Sequence, residues 1–305
     1  MPYLCLIFAA IFWGGNYVVG RLLVVSADPF LLTQGRWLLT AVLLIVLYRK
    51  VFLTNIGCLF HERWVVLMLS LFGQVLFPLT LYIGLQYTSS LNAAIYMSAT
   101  PAMVLVINRV IFKEHISKNN VAGVLLSSIG VLVLLSKGQW HQSMLSHLNQ
   151  GDLWTMGSAV SWAFYCAFLR LKSKQLNGHA FVAASSLLGA LMLLPVTVIY
   201  VIYHSHLNWE PYTHGTFMMG LAYLVIFPSW LSYVFWNRGI AELGATRGEI
   251  YTHIIPLSGG ILGICFTDVQ LAWYHIISAV FIILGIWLCS RFSSQFRHSA
   301  AGHSA

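Results

Sequence analysis

Apolar runs of roughly twenty residues follow one another along this chain, parted mostly by short polar turns. A helix rises 1.5 Å per residue, so about twenty apolar residues cover the roughly 30 Å hydrocarbon core of a bilayer. The runs fall at 3–24, 29–48, 64–86, 90–112, 120–136, 153–171, 180–203, 216–237, 245–266 and 271–290. A membrane barrel would instead show segments of about ten residues alternating with period two. Lipid offers the backbone no hydrogen bonds, so helices that satisfy their own peptide groups are what such runs form. The expected fold is an all-α integral membrane protein of ten transmembrane helices.

Composition agrees. Of 305 residues, 59% are hydrophobic and 8% charged, where soluble domains carry about 25% charged residues. The longest hydrophilic stretches, 49–63, 137–152 and 204–215, are too short for a soluble domain, so whatever the protein does, it does within the lipid bilayer. The net charge of +8 is scattered over loops and helix ends without forming a stripe, which points to membrane topology and away from a nucleic-acid partner. Cys5, Cys58, Cys166, Cys265 and Cys289 lack paired spacing and read as small apolar packing residues. No basic segment precedes Tyr3 and no A-x-A site follows, so the first run is expected to persist as a helix and not as a cleaved signal peptide.

Orientation follows from the basic residues. With a cytoplasmic amino terminus, the inner loops and helix ends hold Arg49, Lys50, Arg63, Arg109, Lys113, Lys118, Arg170, Lys172, Lys174, Arg238, Arg247, Arg291 and Arg297. The outer loops hold Lys137, with Arg21 near the outer end of the first run. Both termini are then inside and the number of crossings is even.

The halves repeat. A shift of 149 places Trp13 on Trp162 and Arg21 on Arg170. A shift of 155 places Gly84 on Gly239, Leu85 on Ile240, Tyr96 on Tyr251, Pro101 on Pro256 and Gly130 on Gly285. At 154, Phe112-Lys113-Glu114 meets Phe266-Thr267-Asp268. Five helices per half is an odd number, so the second half enters the membrane upside down. Inverted repeats are frequent in secondary transporters, with the substrate held near the midplane between the halves. The expected organisation is a first repeat at 1–136, a linker at 137–152, a second repeat at 153–291 and a polar tail at 292–305.

Several segments carry a family likeness. They are Ala9-Ala10-Ile11-Phe12-Trp13-Gly14-Gly15-Asn16, Arg36-Trp37-Leu38-Leu39-Thr40-Ala41, Gly84-Leu85-Gln86-Tyr87-Thr88-Ser89-Ser90-Leu91-Asn92-Ala93-Ala94, and Trp236-Asn237-Arg238-Gly239-Ile240-Ala241-Glu242-Leu243-Gly244-Ala245-Thr246-Arg247 with Pro256 beyond it. In that order and in two copies, they resemble the drug/metabolite transporter superfamily, specifically its EamA-type ten-helix exporters. The likeness covers about 5–290. It implies alternating access and export of amino acids or other metabolites across a bacterial cytoplasmic (inner) membrane, with a small-molecule substrate and no cofactor. Two departures stand out. Lys113-Glu114 replaces the family's usual Gly-Glu after the fourth helix, and Arg247-Gly248-Glu249 is more charged than the usual small-residue run.

Ionisable groups at membrane depth each cost a few kcal/mol unless partnered or hydrated. Arg36, about two turns into the second run, reads as an anion contact or charge partner, or as a hydrogen-bonded anchor between helices; the cost argument favours the anchor. Glu249 and His253, one turn apart on a helix, would share a face and could bind and release a proton. Against that, Glu249 lies about 6 Å along the helix and could snorkel to the interface or pair with Arg247. Pro101 and Pro256, matched in the fourth and ninth helices, read either as static kinks or as bending points for opening and closing, while Pro78 and Pro228 read as static kinks.

Trp13, Asn16, Gln74, Tyr82, Tyr96, Trp162, Tyr165, Tyr233, Asn237 and Tyr251 supply aromatic walls and hydrogen-bonding groups for an amphipathic solute. The resemblance puts Asn16, Gln74, Tyr96, Tyr165, Asn237 and Tyr251 on helices that line the central cavity. The histidines at 141, 147, 204, 206 and 214 lack metal-ligand spacing, and no metal site is expected.

Other classes lack their marks. The chain has no H-E-x-x-H, G-x-S-x-G or Walker A sequence, and no intramembrane aspartate pair, so neither an enzyme nor an ATP-driven pump is expected. A channel would need a charged ring or filter loop. Cationic drug efflux, as in the small multidrug resistance family, would use a first-helix glutamate, where this chain offers Asn16. A receptor or structural membrane protein has no positive feature to support it. Ten helices suffice for a monomeric carrier.

Overall fold

The computed structural model describes residues 1–136, 149–204, 208–266 and 272–291. These residues fold into ten helical rods, and no strand occurs among them. The rods are α1 (Pro2–Val24), α2 (Pro29–Leu47), α3 (Arg63–Tyr87), α4 (Ser90–Met97 continued by Thr100–Val110), α5 (Lys118–Leu135), α6 (Gln150–Phe168), α7 (Gly178–Tyr203), α8 (Gly215–Leu243), α9 (Ala245–Gly248, Glu249–His253 and Ile254–Phe266) and α10 (Trp273–Arg291). Two short helices, Arg49–Thr54 and Ile56–His61, join α2 to α3. The expected spans agree with these to within a few residues, except that α8 runs six residues past 237. Of the outer-loop histidines, His141, His147 and His206 lie outside the described residues, as do Lys137 and the tail at 292–305.

Helix starts follow local chemistry. Asp28 caps α2 by accepting from the Phe30 amide at 2.8 Å, with Pro29 in the first turn. Asn177 caps α7 in the same way, accepting from His179 at 2.9 Å. Each cap occupies one of the four orphan amide groups at its helix end. The shift of 149 superposes Asp28 on Asn177, so the repeat extends to the caps.

The packing is two-fold as well. Gly84 of α3 lies against Thr155 and the Gly151 carbonyl of α6, and Gly239 of α8 lies against Leu6 and the Pro2 carbonyl of α1. Those four neighbours are related by the 149 shift, as the glycines are by 155. Helices α5 and α10 cross where a Cβ on Gly123 would stand 2.7 Å from the Gly285 oxygen, and one on Gly130 would stand 2.9 Å from that of Ser278. Small residues let membrane helices approach this closely and gain dispersion contact. The molecule is an all-α membrane protein whose two five-helix halves are inverted relative to each other and interleave around one core.

Regularity breaks in matched places. α3 contains a π-helical segment at Leu71–Leu76 and α8 one at Val225–Leu231; such bulges concentrate at functional sites. α4 is interrupted at 98–99, just before Pro101, and α9 tightens to a 3₁₀ helix at Glu249–His253, just before Pro256. A proline cannot donate to the preceding turn, so that turn loosens or changes its winding.

Candidate functional site

Pro228 is where the site begins. Lacking an N–H, it cannot donate to the Leu224 carbonyl as an α-helix would, and the segment winds as π. The Ser229 hydroxyl donates to that carbonyl at 2.6 Å. The same oxygen accepts from Nε of Arg36, while the Pro228 carbonyl accepts from Trp13 Nε1 at 3.0 Å. One helix irregularity therefore ties α8 to both α1 and α2.

Arg36 is wholly buried. Its Nη1 donates to Tyr82 Oη at 2.6 Å and to Asn16 Oδ1 at 3.1 Å. Tyr82 in turn donates to Asn16 Oδ1 at 2.9 Å. The guanidinium carbon sits 5.1 Å from the Trp37 ring centre and 5.8 Å from that of Tyr82, close enough for attraction to the ring faces. All its partners are neutral. Nη2 has no partner, and neither has Nδ2 of Asn16.

An aromatic layer separates this network from Glu249. Trp13 meets Trp162 edge-on at 4.8 Å and lies 5.1 Å from Trp236 and 5.8 Å from Tyr233. Trp162 stacks on Tyr165 at 5.0 Å, and Trp37 stands perpendicular to Tyr233 at 5.4 Å. On the far side, Trp162 Nε1 donates to Glu249 Oε1 at 3.1 Å. Glu249 is buried and its Oε2 is unpartnered. Arg36 lies about 10 Å from the start of α2 at 1.5 Å per residue, whereas Glu249 is near the start of α9 on the opposite face. The two charges thus occupy different halves of the membrane.

Seven of the ten expected lining residues meet in this assembly: Trp13, Asn16, Tyr82, Trp162, Tyr165, Tyr233 and Asn237. Tyr165 Oη donates to Asn237 Oδ1 at 2.8 Å, and Tyr233 Oη to the Gly73 carbonyl in the α3 π segment. The other three lie elsewhere. Gln74 is buried with its amide nitrogen against the Leu69 carbonyl at 3.2 Å. Tyr251 packs 6.2 Å from Tyr3, and Tyr96 is half-buried on α4. Ser229, Trp37 and Trp236 belong to the site although sequence reasoning left them out. The signals present were Pro228 beside Ser229 and the adjacency of Arg36 and Trp37.

Glu249 and His253 do not share a face. Residues 249–253 wind as 3₁₀, at three residues per turn, so positions four apart diverge by about a third of a turn. His253 turns to helices α4 and α5, with Nε2 2.8 Å from the Ser98 carbonyl and Nδ1 2.7 Å from Ser127 Oγ. A carbonyl only accepts, so Nε2 carries the proton. The 155 shift superposes Ser98 on His253, and their contact marks the two-fold axis. Glu249 neither snorkels nor pairs with Arg247: it is 1% exposed and bonded to Trp162.

At the amino-terminal face, Glu114 links both halves. Its carboxylate pairs with Arg170 at 2.8 Å and accepts from Thr246 Oγ1 at 2.6 Å; Asn108 Nδ2 donates to Thr246 at 2.8 Å. Glu114, the acid that Lys113-Glu114 has in common with the usual Gly-Glu, thus bridges the ends of α4, α6 and α9.

The EamA-like transporter family model matches residues 1–136 and 149–291. The chain belongs to that family. Similar proteins include an uncharacterized transporter, YyaM, of Bacillus subtilis strain 168, 26% identical over 295 residues and covering 94% of this chain and 93% of its own. An uncharacterized transporter of Archaeoglobus fulgidus is 25% identical over 294 residues, covering 94% and 96%. A crystal structure of a protein 17% identical in sequence superposes with a TM-score of 0.72 over 97% of this chain and 98% of its own, a likeness of fold. The family membership makes this EamA-like protein a membrane transporter with a small-molecule substrate.

Proposed function

We propose that this transporter is a secondary carrier that exports small metabolites such as amino acids by alternating access, with Glu249 as the group that couples movement to protons. The observation that carries the reading is the buried assembly of Asn16, Arg36, Tyr82, Tyr165 and Asn237 around an aromatic layer at the interface of the inverted halves. Buried polar groups left without partners lose about 1–3 kcal/mol each, which a solute bringing complementary groups would recover. The unpartnered atoms of Arg36, Asn16, Asn237 and Glu249 all belong to this assembly.

The mechanism follows from the breaks. Rocking of one half against the other would bend α4 and α9 at Pro101 and Pro256, where the helices are already interrupted. The Glu114–Arg170–Thr246 cluster would close the amino-terminal face in one state and part in the other. The basic loops support a cytoplasmic placement of that face, in a bacterial inner membrane. Glu249, on the cytoplasmic side of the aromatic layer, would take up a proton from the side to which it is opened. The chain is complete as a monomer because both halves of the site come from one polypeptide.

A second reading, efflux of lipophilic cations, is favoured by one observation: a buried carboxylate beside tryptophans suits a cationic aromatic solute. Uptake into proteoliposomes separates the two. A pooled panel of amino acids, metabolites and cationic dyes, with and without an imposed proton gradient, should give saturable flux of metabolites that responds to the gradient. Flux confined to cationic dyes would favour the second reading, and flux of nothing would remove both.

A further inference from the structure

Arg36 carries a full positive charge at membrane depth, and its hydrogen-bond partners Ser229, Asn16 and Tyr82 are all neutral. The ion pairs among the described residues join other groups: Arg170 to Glu114, Arg238 to Glu242 and His214 to Glu210. A buried charge without a counter-charge is costly. The Asn16 amide orientation is fixed, because Oδ1 accepts from both Arg36 and Tyr82, which leaves Nδ2 as a free donor. Arg36 and Asn16 are hydrogen-bonded to each other through Nη1 and Oδ1 at 3.1 Å, so two unpartnered donors, Nη2 and Nδ2, belong to one buried network.

The related position in the second half carries no charge. Position 36 superposes on Ser185 of α7, a buried residue whose hydroxyl bonds within its own helix to the Val182 carbonyl at 3.1 Å. The twin helix is built, capped and packed without an arginine. Position 249 superposes on Ala94 in the same way. Arg36 in the first half and Glu249 in the second thus have no charged counterpart in the other half.

Resting on the carrier reading above, we infer that Arg36 Nη2 and Asn16 Nδ2 form the recognition site for a carboxylate on the transported solute. A guanidinium edge joined by a neighbouring amide N–H presents donors to both oxygens of a carboxylate, and charge-assisted bonds of this kind are the strong ones. The bound carboxylate supplies the missing counter-charge. Trp37 beneath the guanidinium excludes water from one side of the pair. The solute is therefore a carboxylate-bearing metabolite, and its amide or decarboxylated amine is rejected.

The test uses the full chain purified in detergent and follows the thermal unfolding midpoint with matched probes: L-phenylalanine against L-phenylalaninamide, L-leucine against L-leucinamide, and 3-phenylpropionate against phenethylamine. Carboxylates are expected to raise the midpoint saturably and their partners to leave it unchanged. Asn16→Asp gives Arg36 a permanent counter-ion, so it should preserve or raise the basal midpoint while abolishing the carboxylate response. Arg36→Gln should lose that response by tenfold or more in apparent affinity, the loss expected for one charged hydrogen bond of about 1.5–3 kcal/mol. If Arg36→Gln fails to fold, Asn16→Asp carries the comparison alone. No response to any carboxylate, equal responses to carboxylates and amides, or an undiminished response in Asn16→Asp would overturn the assignment. Flux in vesicles without preference for carboxylates would remove the site and leave the carrier; a carboxylate-specific shift without flux would do the reverse.

Discussion

Tyr82 donates a hydrogen bond to Asn16 at 2.9 Å, and at the pseudo-two-fold-related positions the roles of the residues are exchanged. Asn16 superposes on Tyr165 and Tyr82 on Asn237, where Tyr165 donates to Asn237 at 2.8 Å. The same Tyr–Asn bond is therefore made twice with its donor and acceptor swapped between helices. The bond geometry was retained while the residue types traded places, and only the first copy also holds an arginine.

That difference makes the two tyrosines unequal. Tyr82→Phe removes a hydroxyl that both accepts from Arg36 and donates to Asn16, whereas Tyr165→Phe removes a single donor. Both are buried, so each should lower stability by about 1–3 kcal/mol, with Tyr82→Phe at the upper end. Thermal unfolding of the two variants side by side checks the order.

Glu249→Gln keeps an oxygen to accept from Trp162 but cannot take up a proton. The variant should fold with an unfolding midpoint near that of the parent. Gradient-driven uptake should be lost, while exchange of labelled for unlabelled substrate persists. Equal loss of uptake and exchange would show that Glu249 binds substrate and does not couple protons.

Gly285→Leu places a side chain where the α5 backbone already stands, since even a Cβ would lie 2.6 Å from the Gly123 oxygen. Separating α5 from α10 should cost about 1–3 kcal/mol, as overpacking does elsewhere. Gly157→Leu, where an added Cβ meets nothing within 4 Å, serves as the control and should be close to neutral.

The Arg170–Glu114 pair is partly exposed, at 43% and 29%, so breaking it by Glu114→Gln should change stability by less than about 1 kcal/mol. Its effect on access should be larger. Cys166 is fully buried on α6 below this face. With the other cysteines changed to serine, Glu114→Gln should raise the labelling rate of Cys166 by a thiol reagent added from that face.

Much of the fold was legible because the bilayer fixes helix length and the repeat fixes order. Trp13 and Trp162, matched by the 149 shift, do meet at the centre. The Glu249–His253 pairing was misread because periodicity assumes α winding, and Pro256 forces 3₁₀ over those residues. Ser229 carries no signal in the apolar spacing, because its bond to the Leu224 carbonyl five residues back belongs to a π segment, which that spacing does not reveal. Gln74, the residue that the 155 shift matches to Ser229, looked like a site residue but turns back onto its own helix. The absence of a carboxylate beside Arg36 is a three-dimensional fact that no linear pattern displays.

Alternating access, as proposed, requires one buried site to open to each side of the membrane in turn. With the native cysteines replaced, Asn237→Cys places a thiol within the buried assembly. A membrane-impermeant thiol reagent applied to right-side-out and to inverted vesicles then reads access from each face. Labelling is expected from both faces, with protection from one face in a second variant whose added cysteines at 114 and 246 are joined as a disulfide that holds the amino-terminal side shut. Labelling from one face only, unaffected by the cross-link, would contradict alternating access.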